Sequence, residues 1–155
     1  MRFSVQSLRA EKGATMLLDI REEMAPVDLG RSLLTFVEPV EFSGQATNTG
    51  RRIVVRGSAK GRAMAVCDRC LEEFAMDLAT PIDESYYRVD EAPADPDDDE
   101  RIYGEDDIID ISSDIEQAFL LTLPIRIVCR DDCRGLCPGC GRNLNAGECS
   151  CTADI

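Results

Sequence analysis

The sequence predicts an α+β fold in which an antiparallel β-sheet, or meander, dominates and one short helix follows it. Two observations predict the sheet: residues 39–89 are rich in β-branched side chains that alternate with polar ones, and turn residues interrupt them. The spacing of apolar residues over 113–123 predicts the helix. At 155 residues the chain has the size of one domain and is long enough to bury a core.

The predicted strands run from the N terminus to residue 89. The opening residues, MRFSVQSL, alternate apolar and polar side chains in a way that can start a strand. Two further strands are predicted at VEFSGQAT and over 51–67, because the turn residues 48–50 separate them. The alternating stretch 72–89 predicts one or two more strands, so we expect a β-rich body over 1–89.

Nearly all of the net charge of −13 lies in one segment of the chain. Residues 90–116 carry 13 acidic residues and one basic residue, whereas the flanking segments are close to neutral. Dense like charge and two prolines oppose packing, so 90–107 is predicted to be a flexible acidic loop. We interpret it as a solubilising insertion; the alternative is an acidic arm that mimics nucleic acid or binds a basic partner.

Residues 108–128 are predicted to hold the helix and one strand. Ser113 followed by Glu116 fits a capping box, in which the two side chains satisfy free amides at the start of a helix. Pro124 cannot continue a helix and therefore ends it. The apolar segment 125–128 then predicts a strand that leads into the cysteine-rich end of the chain.

The compartment is predicted from two features that the sequence lacks. The N-terminal residues have no apolar signal-peptide core, and no run of about 18 apolar residues is present to span a bilayer. We therefore expect a cytoplasmic protein without membrane contact. In that compartment, clustered cysteines bind metal more often than they form stable disulfides.

Eight cysteines and no histidine limit the chemistry that this sequence can support. Six of the cysteines lie in the segment 129–155, which we predict to form a zinc-binding knob. Zinc in a structural site prefers four thiolates in a tetrahedral arrangement. We therefore predict two structural zinc sites, each with four cysteine ligands, drawn from Cys67, Cys70, Cys129, Cys133, Cys137, Cys140, Cys149 and Cys151.

The spacing of the cysteines favours one pairing. The CxxC turn at 137–140 contains proline and glycine, and it would combine with the CxC pair at 149–151 in the local knob. The CxxC turn at 67–70 would combine with the CxxxC pair at 129–133 and hold the C-terminal segment against the sheet. The alternative joins the two CxxC turns as a zinc ribbon and leaves the other four cysteines to a second site.

Other uses of the cysteines are less compatible with the sequence. A redox CxxC needs a βαβ context. A catalytic zinc has three protein ligands, usually including histidine or a carboxylate, and keeps its fourth coordination position open. An iron–sulfur cluster is also held by four cysteines and stays an alternative. Phosphate-binding loops and nucleophile motifs are absent, so we expect no enzyme and no small-molecule substrate.

One basic stretch is a candidate nucleic-acid interface. Residues 42–67 carry five basic residues and no acidic residue. Alternate residues of a strand share a face, and a basic stripe can contact phosphates. The alternative is an ordinary solvated outer face. The four basic residues of equal parity are Arg52, Arg56, Lys60 and Arg62.

The motifs CDRCLEEF at 67–74 and GLCPGCGRNLN at 135–145, separated by an acidic gap and a helix, resemble the bacterial YceD family. These are the large-subunit ribosomal RNA accumulation proteins, and the resemblance covers most of the chain. Many members lack the C-terminal cysteine tail, so the resemblance is to the branch that carries it. The resemblance implies a non-enzymatic accessory role in ribosome biogenesis in the bacterial cytoplasm, with ribosomal RNA or a large-subunit assembly intermediate as partner.

Two functions of other classes stay open from the residues alone. The acidic loop suits a protein–protein adaptor that docks a basic ribosomal protein without RNA. The clustered thiols suit a redox sensor that forms reversible disulfides and releases metal on oxidation.

Overall fold

The computed structural model describes residues 1–93 and 100–151. In this part of the chain a mostly antiparallel sheet is combined with one helix, which confirms the predicted α+β class. That helix is too short and too polar to cross a membrane. The elements are β1 Arg2–Ser4, β2 Thr15–Glu22, β3 Val27–Asp28, β4 Leu33–Phe36, β5 Val40–Asn48, β6 Ile53–Val66, β7 Glu73–Arg88, β8 Glu100–Tyr103, β9 Ile108–Asp110 and α1 Ser112–Thr122.

Strand β6 is the centre of the main sheet. It pairs antiparallel with β7 along its whole length, and with β5 and then β4 on its other edge. Strand β2 pairs with β5, whereas β8 pairs parallel with β7. Strands β1 and β9 form a separate two-stranded sheet. The long β6–β7 hairpin matters for function because its connecting turn carries Cys67 and Cys70.

The core face of β6 follows the predicted alternation. Ile53, Val55 and Ala59 are buried, whereas the basic residues of even number are exposed.

Gly44 of β5 lies opposite Gly57 of β6, and the ring of the fully buried Phe42 covers both. A Cβ atom at Gly44 would lie 2.7 Å from the Gly57 Cα and 2.9 Å from the Phe42 Cζ. Only glycine therefore fits beneath this ring.

Strand β7 continues unbroken through Pro81, where the sequence allowed for two strands. Proline lacks a backbone N–H and is tolerated only where no partner strand needs it. On one side Pro81 pairs with Ser58 of β6. On the other side β8 pairs only with residues Ser85 to Arg88 of β7. Among the described residues, no strand pairs with this second edge of β7 at Pro81, which explains why the strand continues through the proline.

Helix α1 packs on β7 and buries Ile115 and Phe119, whose ring contacts Phe36 of β4. Its predicted capping box is wrong: Ile111 is the N-cap, and no side chain caps the helix. The N-cap thus lies two residues before Ser113, so Ser113 is inside the first turn of the helix and cannot cap it. The Ser112 N–H instead donates to the Asp110 Oδ1 at 3.0 Å.

The predicted strand over 125–128 is also wrong. Ile127 exchanges two hydrogen bonds with one residue: its N–H donates to the Asp68 Oδ2 at 2.6 Å, and its carbonyl accepts from the Asp68 N–H at 2.7 Å. The backbone of Ile127 therefore bonds to the side chain and backbone of Asp68 and not to a neighbouring strand, so no β-ladder forms. The segment is held against the β6–β7 turn by this contact.

The acidic loop predicted over 90–107 is shorter than the sequence indicated. Its residues 94–99 lie outside the described part of the chain, but residues 100–103 form β8. Tyr103 is buried, and Arg101 Nε donates to the Asp114 Oδ1 at 2.7 Å. One cation inside the acidic run therefore anchors its end to the helix, a contact that a local charge count does not reveal.

Candidate metal centres

The eight cysteine sulfurs form two groups of four, and within each group all sulfurs lie within 4.8 Å of one another. The two CxxC turns do not share a group, so the structure matches the favoured pairing and contradicts the zinc-ribbon alternative. Site 1 consists of Cys67, Cys70, Cys129 and Cys133, and site 2 consists of Cys137, Cys140, Cys149 and Cys151.

Both CxxC turns have the same backbone geometry. In site 1 the Leu71 N–H donates to the Cys67 carbonyl at 2.9 Å, and in site 2 the Gly141 N–H donates to the Cys137 carbonyl at 2.8 Å. The residue after the second cysteine is left-handed in both, with φ of 61° at Leu71 and 72° at Gly141. Each turn therefore points its two sulfurs to one side, as a shared ion requires.

Leu71 is an unusual residue for this position. A left-handed backbone costs a residue with a Cβ about 1–2 kcal/mol, which glycine avoids. The Leu71 side chain is also 64% exposed. Interactions across the turn of site 1 must therefore offset this backbone cost.

The sulfur separations fit a single tetrahedral ion in site 1. Four ligands at a Zn–S distance of about 2.3 Å stand about 3.8 Å apart. The Sγ atoms of Cys67 and Cys133 are 3.8 Å apart, as are those of Cys70 and Cys129. A cluster that binds each thiolate to a different iron would need wider spacing. All eight cysteines are free thiols, so the sulfurs are available as ligands.

Site 2 has the same donor set in a more open setting. Its closest sulfurs, those of Cys137 and Cys149, are 3.2 Å apart, which is well beyond a disulfide bond of about 2.05 Å. Cys137 is buried, whereas Cys140 and Cys151 are exposed. In site 1, Cys67, Cys70 and Cys133 are all buried, and Phe74 and Val128 pack against them. Solvent therefore reaches site 2 more easily than site 1.

Each site contains thiols with a pKa below the usual value: Cys67 and Cys133 in site 1, and Cys137 in site 2. Burial raises the pKa of Cys67, but hydrogen bonds from the backbone amides of Cys129, Cys70 and Arg69 outweigh burial and lower the pKa to about 6. A hydrogen bond from the Cys149 thiol, together with bonds from the backbone amides of Cys140 and Gly139, lowers the pKa of Cys137 to about 6. Each site thus holds at least one thiol whose pKa is shifted toward the thiolate, which is the form that binds metal.

The pattern of sequence that defines a known family matches this chain over residues 55–154, and its description is "Large ribosomal RNA subunit accumulation protein YceD". The chain belongs to the YceD family. The matched region begins in β6 and includes both cysteine sites. Of the four basic residues predicted to bind nucleic acid, Arg52 alone lies outside it.

Relatives of this YceD-family chain occur in mycobacteria. Uncharacterized proteins of Mycobacterium bovis and Mycobacterium tuberculosis are each 31% identical to it over 120 residues, which is 76% of this chain and 58% of theirs. An uncharacterized protein of Mycobacterium leprae is 23% identical over 144 residues, 92% of this chain and 66% of its own. The chain thus spans less than two thirds of these relatives. No solved structure matches it.

Three residues of the basic stripe of this YceD-family chain, Arg56, Lys60 and Arg62, lie on the outer face of β6, as the alternation predicted, and Arg52 immediately precedes the strand. Acidic side chains flank the stripe. Arg56 Nε is 3.0 Å from the Asp83 Oδ1, and Arg62 Nη1 is 3.6 Å from the Asp77 Oδ1. Lys60 lies directly opposite Glu41 of β5. The stretch 42–67 contains no acidic residue, but acidic residues of β5 and β7 lie beside it on the sheet. The local positive charge is therefore smaller than the sequence indicated.

Sequence reasoning missed two residues that hold the sites together. Arg69, inside the first CxxC turn, donates from Nη1 to the Cys133 carbonyl at 3.1 Å. Asn145, between Cys140 and Cys149, donates from Nδ2 to the Cys133 Sγ at 3.3 Å. Both residues stand inside the motifs that carry the family resemblance, and their polar side chains at fixed distances from cysteines were the available signal.

Proposed function

We propose that this YceD-family chain is a non-enzymatic accessory factor in ribosome biogenesis that promotes the accumulation of large-subunit ribosomal RNA. The match over residues 55–154 to a family of that description carries the proposal. Its partner is ribosomal RNA or a large-subunit assembly intermediate in the bacterial cytoplasm. Because the chain spans only 58% of two mycobacterial relatives, the proposal concerns the part of the protein that this chain represents.

The two cysteine sites are proposed to bind one zinc ion each in a structural role. Four thiolates fill the coordination of zinc and leave no open position for a reacting water. The thiol set and the 3.8 Å sulfur separations in site 1 support this assignment. Site 1 would hold the segment around Cys129 against the β6–β7 turn, and site 2 would close the C-terminal knob, which together make one domain over 1–155.

The outer face of β6 is the proposed contact for RNA phosphates. Arg52, with threonine and glutamine side chains of the neighbouring strands, lines a depression of about 440 Å³ on this face. Arg56 and Arg62 would exchange their exposed aspartate partners for phosphate. Exposed ion pairs are worth about 0–1 kcal/mol, so this exchange costs little. Affinity for free RNA is expected to be weak and to depend on salt.

One observation favours a second candidate, a protein–protein adaptor. Residues 90–116 carry 13 of the 30 acidic residues of the chain. Such a concentration attracts a basic ribosomal protein and repels phosphate. In this function the acidic segment, and not β6, would dock to the assembling particle.

Co-sedimentation with ribosomal particles distinguishes the two candidates. Replacing Arg52, Arg56, Lys60 and Arg62 by glutamate is expected to abolish association if β6 binds RNA. The matched opposite change, Asp77→Ala with Asp83→Ala, removes the flanking acids and should strengthen it. Neutralising Asp95, Asp97, Asp98 and Asp99 to asparagine should leave association unchanged or stronger, while it keeps β8 intact.

The opposite pattern would refute the RNA proposal. If the glutamate variant still sediments with particles and the asparagine variant does not, the adaptor function is correct. Circular dichroism of each variant shows whether the sheet survives the change. Disulfide formation with loss of metal under mild oxidant would instead support the redox-sensing alternative.

A further inference from the structure

Asn145 belongs by position to site 2 but contacts site 1. It lies in the segment between Cys140 and Cys149, both of which are in site 2. Its Nδ2 donates to the Cys133 Sγ, a sulfur of site 1, at 3.3 Å in a partly buried position. The segment that one site closes thus supplies a hydrogen bond to a sulfur of the other.

The hydrogen bonds of the Asn145 side chain fix its orientation. Its Oδ1 accepts from the Arg134 N–H and from the Arg130 Nη2, each at 2.8 Å. Because a carbonyl oxygen only accepts and an amide nitrogen only donates, these bonds leave the Nδ2 facing the sulfur. The Asn145 N–H donates to the Asn143 Oδ1 at 2.9 Å, which holds its backbone within the same segment.

A second contact brings the two sites together. The carbonyl of Arg69, inside the first CxxC turn, accepts from the Leu136 N–H at 3.1 Å. Leu136 immediately precedes Cys137 of site 2. Gly135 has φ of 73°, and a Cβ atom there would lie 3.0 Å from the Arg69 carbonyl oxygen. The chain therefore passes tightly across site 1 on its way into site 2.

We propose that Asn145 is a positioning residue that couples the two sites, so that zinc in site 2 raises the affinity of site 1 for zinc. Closure of the segment 140–149 by a metal fixes Asn145 in place, which removes part of the entropy cost of its bond to Cys133. That bond holds the Cys133 Sγ in place as a metal ligand. Coupling of binding free energies is reciprocal, so zinc in site 1 raises the affinity of site 2 equally.

This inference rests on the proposal that both sites bind zinc. The direct test is Asn145→Asp in the full chain, which keeps the size and the Oδ1 acceptor but removes the donor to sulfur. Loss of a hydrogen-bond partner of a metal ligand weakens metal binding by about 10–100-fold. We expect that loss at site 1 in competition titrations of zinc against a chelator. Glu148→Gln, an exposed change in the same segment, is the matched control and should leave the affinity unchanged.

A double-variant comparison tests the coupling itself. Replacing Cys149 and Cys151 by serine removes site 2, and it should weaken zinc binding at site 1 by a factor similar to that of Asn145→Asp. If Asn145 carries the coupling, combining the two changes adds little to either one alone. Additive losses, or no loss at site 1 when site 2 is removed, would overturn the proposal.

Cadmium-113 provides a readout that does not depend on the stability of the serine variant. With cadmium in both sites, each four-sulfur site gives its own resonance. Asn145→Asp should shift the site 1 resonance and leave that of site 2 in place, and an unmoved site 1 resonance would overturn the proposal. Two bound metals without coupling would leave the zinc assignment intact, whereas a protein that binds no metal would refute both.

Discussion

The buried carboxylate of Asp114 provides a stability prediction with a well-matched control. Its side chain is 3% exposed and accepts from the Arg101 Nε at 2.7 Å and from the Tyr86 hydroxyl at 2.5 Å. Tyr86 is buried on the core face of β7, and burial together with the Asp114 carboxylate raises the pKa of its hydroxyl. The hydroxyl therefore stays protonated and donates throughout the working pH range.

The perturbation is Tyr86→Phe, which removes one hydroxyl and leaves the ring in the core. A hydrogen bond to a charged group contributes about 1.5–3 kcal/mol, and its loss leaves a buried carboxylate oxygen with one donor fewer. For a chain of this size each kcal/mol corresponds to about 2–4 °C in Tm. We therefore expect the Tm to fall by about 3–12 °C.

Thermal and urea unfolding of the purified protein, followed by circular dichroism, measures the change. Tyr87→Phe is the control, because the neighbouring tyrosine lies on the opposite face of β7 and is partly exposed. Its Tm should stay close to that of the unmodified protein. Equal Tm values for the two variants would refute the reasoning that the Tyr86 bond to Asp114 stabilises the packing of α1 on the sheet.

Three further predictions concern the metal sites and the pH dependence of stability. Elemental analysis should find two zinc ions per chain, and a chain with no metal and four disulfides under reducing conditions would contradict this. Cys70→Ser should speed hydrogen exchange across the sheet, because site 1 joins it to the C-terminal segment, whereas Cys149→Ser should do so mainly beyond residue 134; identical global effects would contradict this division. Burial opposes ionisation of Asp110, but the hydrogen bond from Arg2 prevails and holds the pKa of its carboxyl well below the usual 3.8. Its ionised form therefore stabilises the fold above about pH 3.8, and the stabilities of the unmodified protein and Asp110→Asn should converge as the pH falls below that value in urea titrations.

The sequence was informative where the interactions are local. The alternation along 53–66 identified both the core face and the exposed face of β6, since a strand turns every second side chain to the same side. The CxxC, CxxxC and CxC spacings favoured the pairing of the cysteines that the structure shows. Two sulfurs separated by two residues converge through a single turn, which depends on the backbone of those residues alone.

Three predictions failed because distant residues decided them. The segment 125–128 looked like a strand by its apolar content, yet Asp68 takes its hydrogen bonds. Ser113 and Glu116 had the spacing of a capping box, yet the helix begins at Ser112, where the N–H of the N-cap Ile111 donates to the carbonyl of Met1 at 3.0 Å. The run 90–107 looked too acidic to pack, yet its residues 100–103 form β8 and Arg101 binds the buried Asp114. Each outcome depends on a partner that no local pattern contains.

By itself the sequence determined the class of fold and the thiol chemistry and favoured one grouping of the cysteines, because composition and short spacings carry that information. Only the tertiary structure decided what surrounds these groups. It brought Asp77 and Asp83 beside the basic stripe of β6, and it put Asn145 against a sulfur of the site to which its own segment does not belong. The physical reason is that ion pairs and hydrogen bonds form between neighbours in space, and folding brings together residues that lie far apart in the chain.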